Sequence, residues 1–146
     1  MQELPSRVLI EADFFISYLR GDELADKVER LMISALEGKI TLFVSSEVYD
    51  DIITAYRCKG FGVEQVKSLL ADIRSIPHEA IPVTNESAVV AMQLYSKHGG
   101  GRRLHYFDSF HVATALLENL PLITSDRYIL EKSSEMKIRS IDLRRL

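Results

Sequence analysis

Carboxylates follow three apolar runs of the sequence and stand at the head of a fourth segment. Residues 8–10 lead into Glu11 and Asp13, and residues 40–44 lead through Ser45 and Ser46 into Glu47, Asp50 and Asp51. Residues 122–123 lead into Thr124, Ser125 and Asp126, and Asp108 opens the segment before that run. Brought together, these groups repel one another, and their grouping makes chemical sense around a divalent cation. Hard cations such as Mg²⁺ and Mn²⁺ prefer oxygen ligands. A cation so held can activate water and neutralise charge on a phosphodiester under attack.

Each carboxylate has a plainer role open to it. Glu47 falls in a first helical turn, where the helix dipole favours an anion. Asp50 and Asp51 are adjacent and cannot point the same way, whereas Glu47 and Asp51, four apart, share a face. Asp108 can serve as a favourable charge at a helix start, and Asp126 as a turn residue or a helix cap. Glu11 and Asp13 are harder to explain structurally. They end an apolar strand and enter Phe14-Phe15-Ile16, and a carboxylate among such neighbours needs a partner.

The elements that must position these residues can be read from the hydrophobic pattern. Short apolar runs at 8–10, 40–44, 80–83, 122–123 and 138–141 read as buried strands. Between them, 23–37, 46–57, 63–76, 85–98 and 108–119 have helical spacing, with Leu24, Val28, Leu31 and Leu36 on one face of the first and Asn85 capping the fourth. Strands alternating with helices predict an α/β domain around a mostly parallel sheet of four or five strands, covered on both faces. Such sheets carry their ligand sites beyond the C-terminal ends of the strands, where the carboxylates fall.

The 146 residues fit one domain, 1–146. A formal net charge of -3 excludes a wholly basic nucleic-acid binder while leaving room for a local basic patch. No apolar run reaches the roughly 18 residues of a membrane span. The N-terminus does not read as a signal peptide, and the expected location is the cytoplasm. Cys58 is the only cysteine, which excludes an internal disulfide and is expected to be inert and partly buried. No glycine-rich phosphate loop follows a strand.

Three segments, holding four acidic motifs, carry a family resemblance. VLIEADFFISYLRGDE, LFVSSEVYDDII and FDSFHVATALLENLPLITSD, the last containing two acidic motifs, resemble the PIN domain family. The most specific piece is D-x-x-h-x-A-x-A-h, a strand, then T-x-D. The resemblance implies a three-layer α/β/α fold, and metal-dependent cleavage of RNA with Mg²⁺ or Mn²⁺. It maps the third and fourth acidic residues onto Asp108 and Asp126. The family's first Asp falls on Glu11, with Asp13 at the Asn/Ser/Asp position two residues on, and its Glu falls on Asp51, with Glu47 competing one turn earlier. Asp and Glu are thus exchanged at two places, each changing reach by one methylene. Asp13, Asp108 and Asp126, helped by Glu11 and Asp51, form the expected metal-binding and catalytic set. The resemblance further implies a homodimer and, for a toxin, a small antitoxin partner. The two exchanges also motivate a second reading, a catalytically weak PIN fold that binds RNA or docks a protein.

The segment GGGRRLHYFD reads as a flexible basic loop beside the acidic site, with Arg102 and Arg103 as candidate RNA contacts and Tyr106 or Phe107 as a base-stacking surface. His111, three residues after Asp108, is expected to pack or bond locally, at a position usually apolar in the family pattern. The stretches 63–76 and 86–94 carry more apolar residues than one small sheet needs, which agrees with an expected dimer.

Overall fold

The computed structural model describes residues 4–146. Its core is a five-stranded sheet in the order β3-β2-β1-β4-β5, built from β1 (Arg7–Leu9), β2 (Thr41–Ser45), β3 (Glu79–Ile81), β4 (Leu122–Thr124) and β5 (Ser140–Asp142). Every pairing among these strands is parallel. The expected strands are all present, displaced by one or two residues; Ile138 lies before β5 rather than within it.

Alternation along each strand sorts side chains between two layers. Val8 and Ile10, Leu42 and Val44, and Ile123 enter one core. That core is closed by α1 (Ala12–Arg20), α2 (Ala25–Leu36), α3 (Val48–Cys58) and α4 (Val63–Arg74), through residues such as Phe14, Val28, Ile52 and Ile73. Leu9, Phe43 and Leu122 face the other way. There they meet α6 (Tyr106–Glu118) and α7 (Arg127–Lys132) through Val112, Ala115 and Ile129. Outside α6 lies α5 (Asn85–His98), packed on Phe110 and Ala113 through Ala91. The small residues Ala91, Ala113 and Ala115 let these helices approach closely, and the three layers match the expected α/β/α class.

Several local expectations are corrected. Leu36 is 67% exposed, because α2 buries only Val28 and Leu31 fully. The cap of α5 is Thr84, whose hydroxyl accepts the Ser87 N–H at 3.2 Å, and Asn85 is the first helical residue. Helix α6 begins two residues earlier than the pattern suggested, with His105 at its cap position. Cys58 ends α3 and is exposed rather than partly buried. Among the described residues no helix is long and apolar enough to cross a membrane.

The strand order fixes where a site can form. From β1 the chain moves outward to β2 and β3, then returns to the other side of β1 with β4 and β5. The order therefore reverses between β1 and β4, and the crevice beyond their C-terminal ends is open to a ligand.

Candidate metal centre

Four helices begin at that crevice, and each brings a carboxylate. Glu11 follows β1 at the cap position of α1, with extended backbone (φ -128°, ψ -173°) and no side-chain capping bond. Its carboxylate is thus free of the role usually given to an acidic cap. Asp13 lies in the first turn of α1, Asp51 in the first turn of α3, and Asp108 in the first turn of α6. Asp126 caps α7, Oδ1 accepting the Ile129 N–H at 2.9 Å. The positive ends of these helix dipoles offset part of the repulsion.

These five residues line one cleft of about 470 Å³ together with Ser125, His105, Arg20 and Arg144. Glu47 and Asp50 are not in its lining. Asp50 points outward to Thr54, and the backbone N–H of Glu47 donates to Ser45 Oγ. Of these two candidates Asp51, in the first turn of α3, lines the cleft and Glu47, at its cap position, does not.

Hydrogen bonds hold the cluster in place. Asp13 Oδ2 accepts the Ser125 backbone N–H at 2.9 Å and the Ser125 hydroxyl. Thr124 Oγ1 accepts the Asp126 N–H at 3.0 Å. His105 Nδ1 lies 3.3 Å from Asp108 Oδ2, and His111 Nε2 lies 3.0 Å from Asp51 Oδ2. Two carboxylate oxygens have no partner: Glu11 Oε2 and Asp13 Oδ1 are buried and unbonded among the described residues.

The electrostatics record the same crowding. Burial pushes the Glu11 carboxyl well above its ordinary range, and the charges of Asp13, Asp108 and Asp126 push it further. Burial also raises Asp13, against which the Ser125 donors pull. Asp108 is pushed up to about 6, first by burial; Asp126 and Asp51 add to this, and His111 and His105 oppose it. Buried, partnerless, mutually repelling carboxylate oxygens are what a divalent cation satisfies, so this donor set fits a metal. Two subsets hold ligand atoms within 4.8 Å of one another: Asp51, Asp108 and His111, and His105, Asp108 and Asp126.

A family model described as the PIN domain matches residues 8–134. The chain belongs to the PIN domain family. No curated protein sequence matches it significantly, but solved structures share the PIN fold. A toxin–antitoxin complex from Klebsiella pneumoniae aligns with a TM-score of 0.61 at 16% identity, over 93% of this chain and 97% of the other. VapBC2 from Rickettsia felis, bound to a DNA fragment from its promoter, gives 0.66 at 16% identity over 92% and 97%. VapBC-5 from Mycobacterium tuberculosis gives 0.59 at 19% identity over 94% and 98%.

The basic loop of this PIN domain sits at the edge of the cleft. Gly99 starts it, where a Cβ would collide with the Tyr95 carbonyl. Arg103 donates to the Lys97 carbonyl at 2.8 Å and stacks over Tyr128, and neither Arg102 nor Arg103 lines the cleft. Of residues 99–107 only His105 does. Phe107 is half-buried, and Tyr106, 48% exposed, packs edge-on against Tyr95 and Phe110. The arginines that do line the cleft are Arg20 and Arg144. The spacing from Asp13 to Arg20, two helical turns along one face, could have revealed the first. Nothing local could have revealed Arg144, which the parallel pairing of β5 with β4 carries to the cleft.

Proposed function

We propose that this PIN domain is a metal-dependent endoribonuclease that hydrolyses RNA phosphodiester bonds and acts in the cytoplasm as the toxin of a toxin–antitoxin pair. The observation that carries the reading is the pair of buried, partnerless oxygens on Glu11 and Asp13 inside a converged set of carboxylates. Asp13, Asp108 and Asp126 would hold Mg²⁺ or Mn²⁺, with Glu11 and Asp51 completing the set. When bound, such an ion lowers the pKa of water and offsets charge on the phosphodiester. Ser125 orients Asp13 through its two donors, which oppose the rise that burial gives its pKa. Arg20 and Arg144 face the same cleft and would neutralise phosphates flanking the reacting one. Arg102 and Arg103 would meet RNA beyond the cleft's edge. The toxin assignment, with its small antitoxin partner, is supported by the toxin–antitoxin complexes among the structures of like fold. A homodimer is proposed on the exposed Val89 and Met92 of α5.

Purified protein incubated with mixed RNA oligonucleotides and Mn²⁺ tests the proposal. Cleavage that EDTA abolishes and Asp108→Asn removes is the expected result; intact RNA from folded, Mn²⁺-bound protein would sink it. A second reading, an RNA-binding or docking module of little activity, is favoured by the Glu11 and Asp51 exchanges. RNA binding without Mn²⁺ uptake in calorimetry would select it.

A further inference from the structure

His111 stands one helical turn after Asp108 on α6 and is wholly buried. Its Nε2 lies 3.0 Å from Oδ2 of Asp51, which α3 brings from the other layer of the molecule. Its Nδ1 is buried and has no hydrogen-bond partner among the described residues.

The contact fixes where the ring hydrogen lies. An ionised carboxylate only accepts, so a hydrogen bond at this distance needs the hydrogen on Nε2. Nδ1 has no acceptor facing it, so a hydrogen there would be buried unbonded. Reversing the hydrogen would set a bare Nε2 against the Asp51 carboxylate and bury an N–H without an acceptor. That reversed form is also the one His111 would need to ligate a cation through Nε2, because ligating imidazoles donate their other N–H to a partner. The ring is therefore suited to hold a ligand and unsuited to be one.

We propose that His111 is a positioning residue for Asp51. Its Nε2–H holds Oδ2 from the buried side of the contact and leaves Oδ1 as the oxygen Asp51 offers to the cleft. A carboxylate in a repelling cluster would otherwise turn toward solvent; the hydrogen bond from the buried ring on α6 opposes that turn. In this way Asp51 keeps a fixed place beside Asp108. The inference rests on the reading that these carboxylates hold a cation.

The test compares wild type with His111→Gln, which keeps an N–H at the same number of bonds from Cα, and His111→Leu, which fills the space without a donor. Mn²⁺ affinity is read by calorimetry. The ¹⁵N signals of His111 are read in wild-type protein without metal and with diamagnetic Mg²⁺, so the test does not depend on a variant folding. Expected are an about ten- to hundredfold loss of Mn²⁺ affinity in His111→Leu, most of it restored in His111→Gln, and a hydrogen on Nε2 with and without Mg²⁺. Equal losses in both variants, or loss of the Nε2 hydrogen on adding Mg²⁺, would make His111 a ligand and overturn the proposal. Unchanged affinity in His111→Leu would reduce it to packing. If wild type takes up no Mn²⁺, the cation reading fails separately. The pair is then judged in metal-free protein by a double-mutant cycle of His111→Leu with Asp51→Ala, where coupling upholds the contact's positioning role and additivity overturns it.

Discussion

Asp13 receives both donors of Ser125: the backbone N–H at 2.9 Å and the hydroxyl, on the same oxygen, Oδ2. The contact joins residues far apart in sequence, tying the first turn of α1 to the end of β4 across the point where the strand order reverses. It also decides which Asp13 oxygen is left over, the buried Oδ1.

Ser125→Ala removes the hydroxyl and keeps the backbone donor. Donors to a carboxylate hold its pKa down, so the Asp13 carboxyl should move further above its ordinary value. Mn²⁺ affinity should fall several-fold, and more in mildly acidic than in mildly alkaline buffer. Calorimetry in the two buffers checks this; equal affinity to wild type in both would show that the hydroxyl contributes nothing.

Neutralising a crowded carboxylate should stabilise the metal-free protein and abolish its response to Mn²⁺. Asp108→Asn and Asp126→Asn should both raise the melting temperature in EDTA and both lose the rise that Mn²⁺ gives wild type. Asp126 adds a control, because its Oδ1 caps α7. Asn caps as well as Asp, whereas Asp126→Ala should lose about 1 kcal/mol through the missing cap and melt below Asp126→Asn. Variants that melt lower than wild type yet still respond to Mn²⁺ would make these residues caps and nothing more.

Stability of the metal-free protein should fall as pH rises. Glu11, Asp13 and Asp108 have folded pKa values raised by burial, so the folded chain holds protons that the unfolded chain has released. Their contribution is complete below the unfolded carboxylate values, about 4, and is lost as pH climbs through the folded ones, about 6 for Asp108. Urea unfolding in EDTA should show a decline of order 1–3 kcal/mol over that window. Asp108→Asn should flatten the slope. Stability rising with pH over the same window would contradict it.

Arg20 and Arg144 line the cleft without belonging to the carboxylate set. Arg20→Ala and Arg144→Ala should weaken binding of a single-stranded RNA probe while leaving Mn²⁺ affinity intact. If each arginine meets one phosphate, each variant should reduce the salt slope of log K by about 0.7. Fluorescence anisotropy across a salt series reads this, and an unchanged slope would remove the arginine concerned from the RNA path.

The sequence is most legible where one element decides a residue's place. Apolar strands ending in carboxylates announced the cleft, because a parallel sheet sends all its strand ends to one side. The competition between Glu47 and Asp51 could not be resolved from spacing, since residues four apart share a helix face; the packing of α3 put Asp51 in the lining. The six-residue helix α7 is too short for a periodic signal, and Asp126, open to a turn or a cap role, did not reveal it. Arg144 and the meeting of His111 with Asp51 depend on elements far apart in the chain, and no local pattern encodes them. The exposure of Leu36 and Cys58 shows the converse limit: an apolar or sulfur-bearing residue in the right period need not reach the core.

The strand order also governs when this site can exist during synthesis. β1 finds its partner β2 early, but its other neighbour is β4, paired through Leu9 and Leu122. A chain still being translated can therefore fold its first three strands and four helices while the wall that carries Ser125 and Asp126 is still inside the ribosome. The carboxylate set is complete only once β4 has paired with β1, a slow, long-range strand pairing. Under the RNA-cutting role proposed above, that order would leave a growing chain without its complete carboxylate set until β4 has paired with β1.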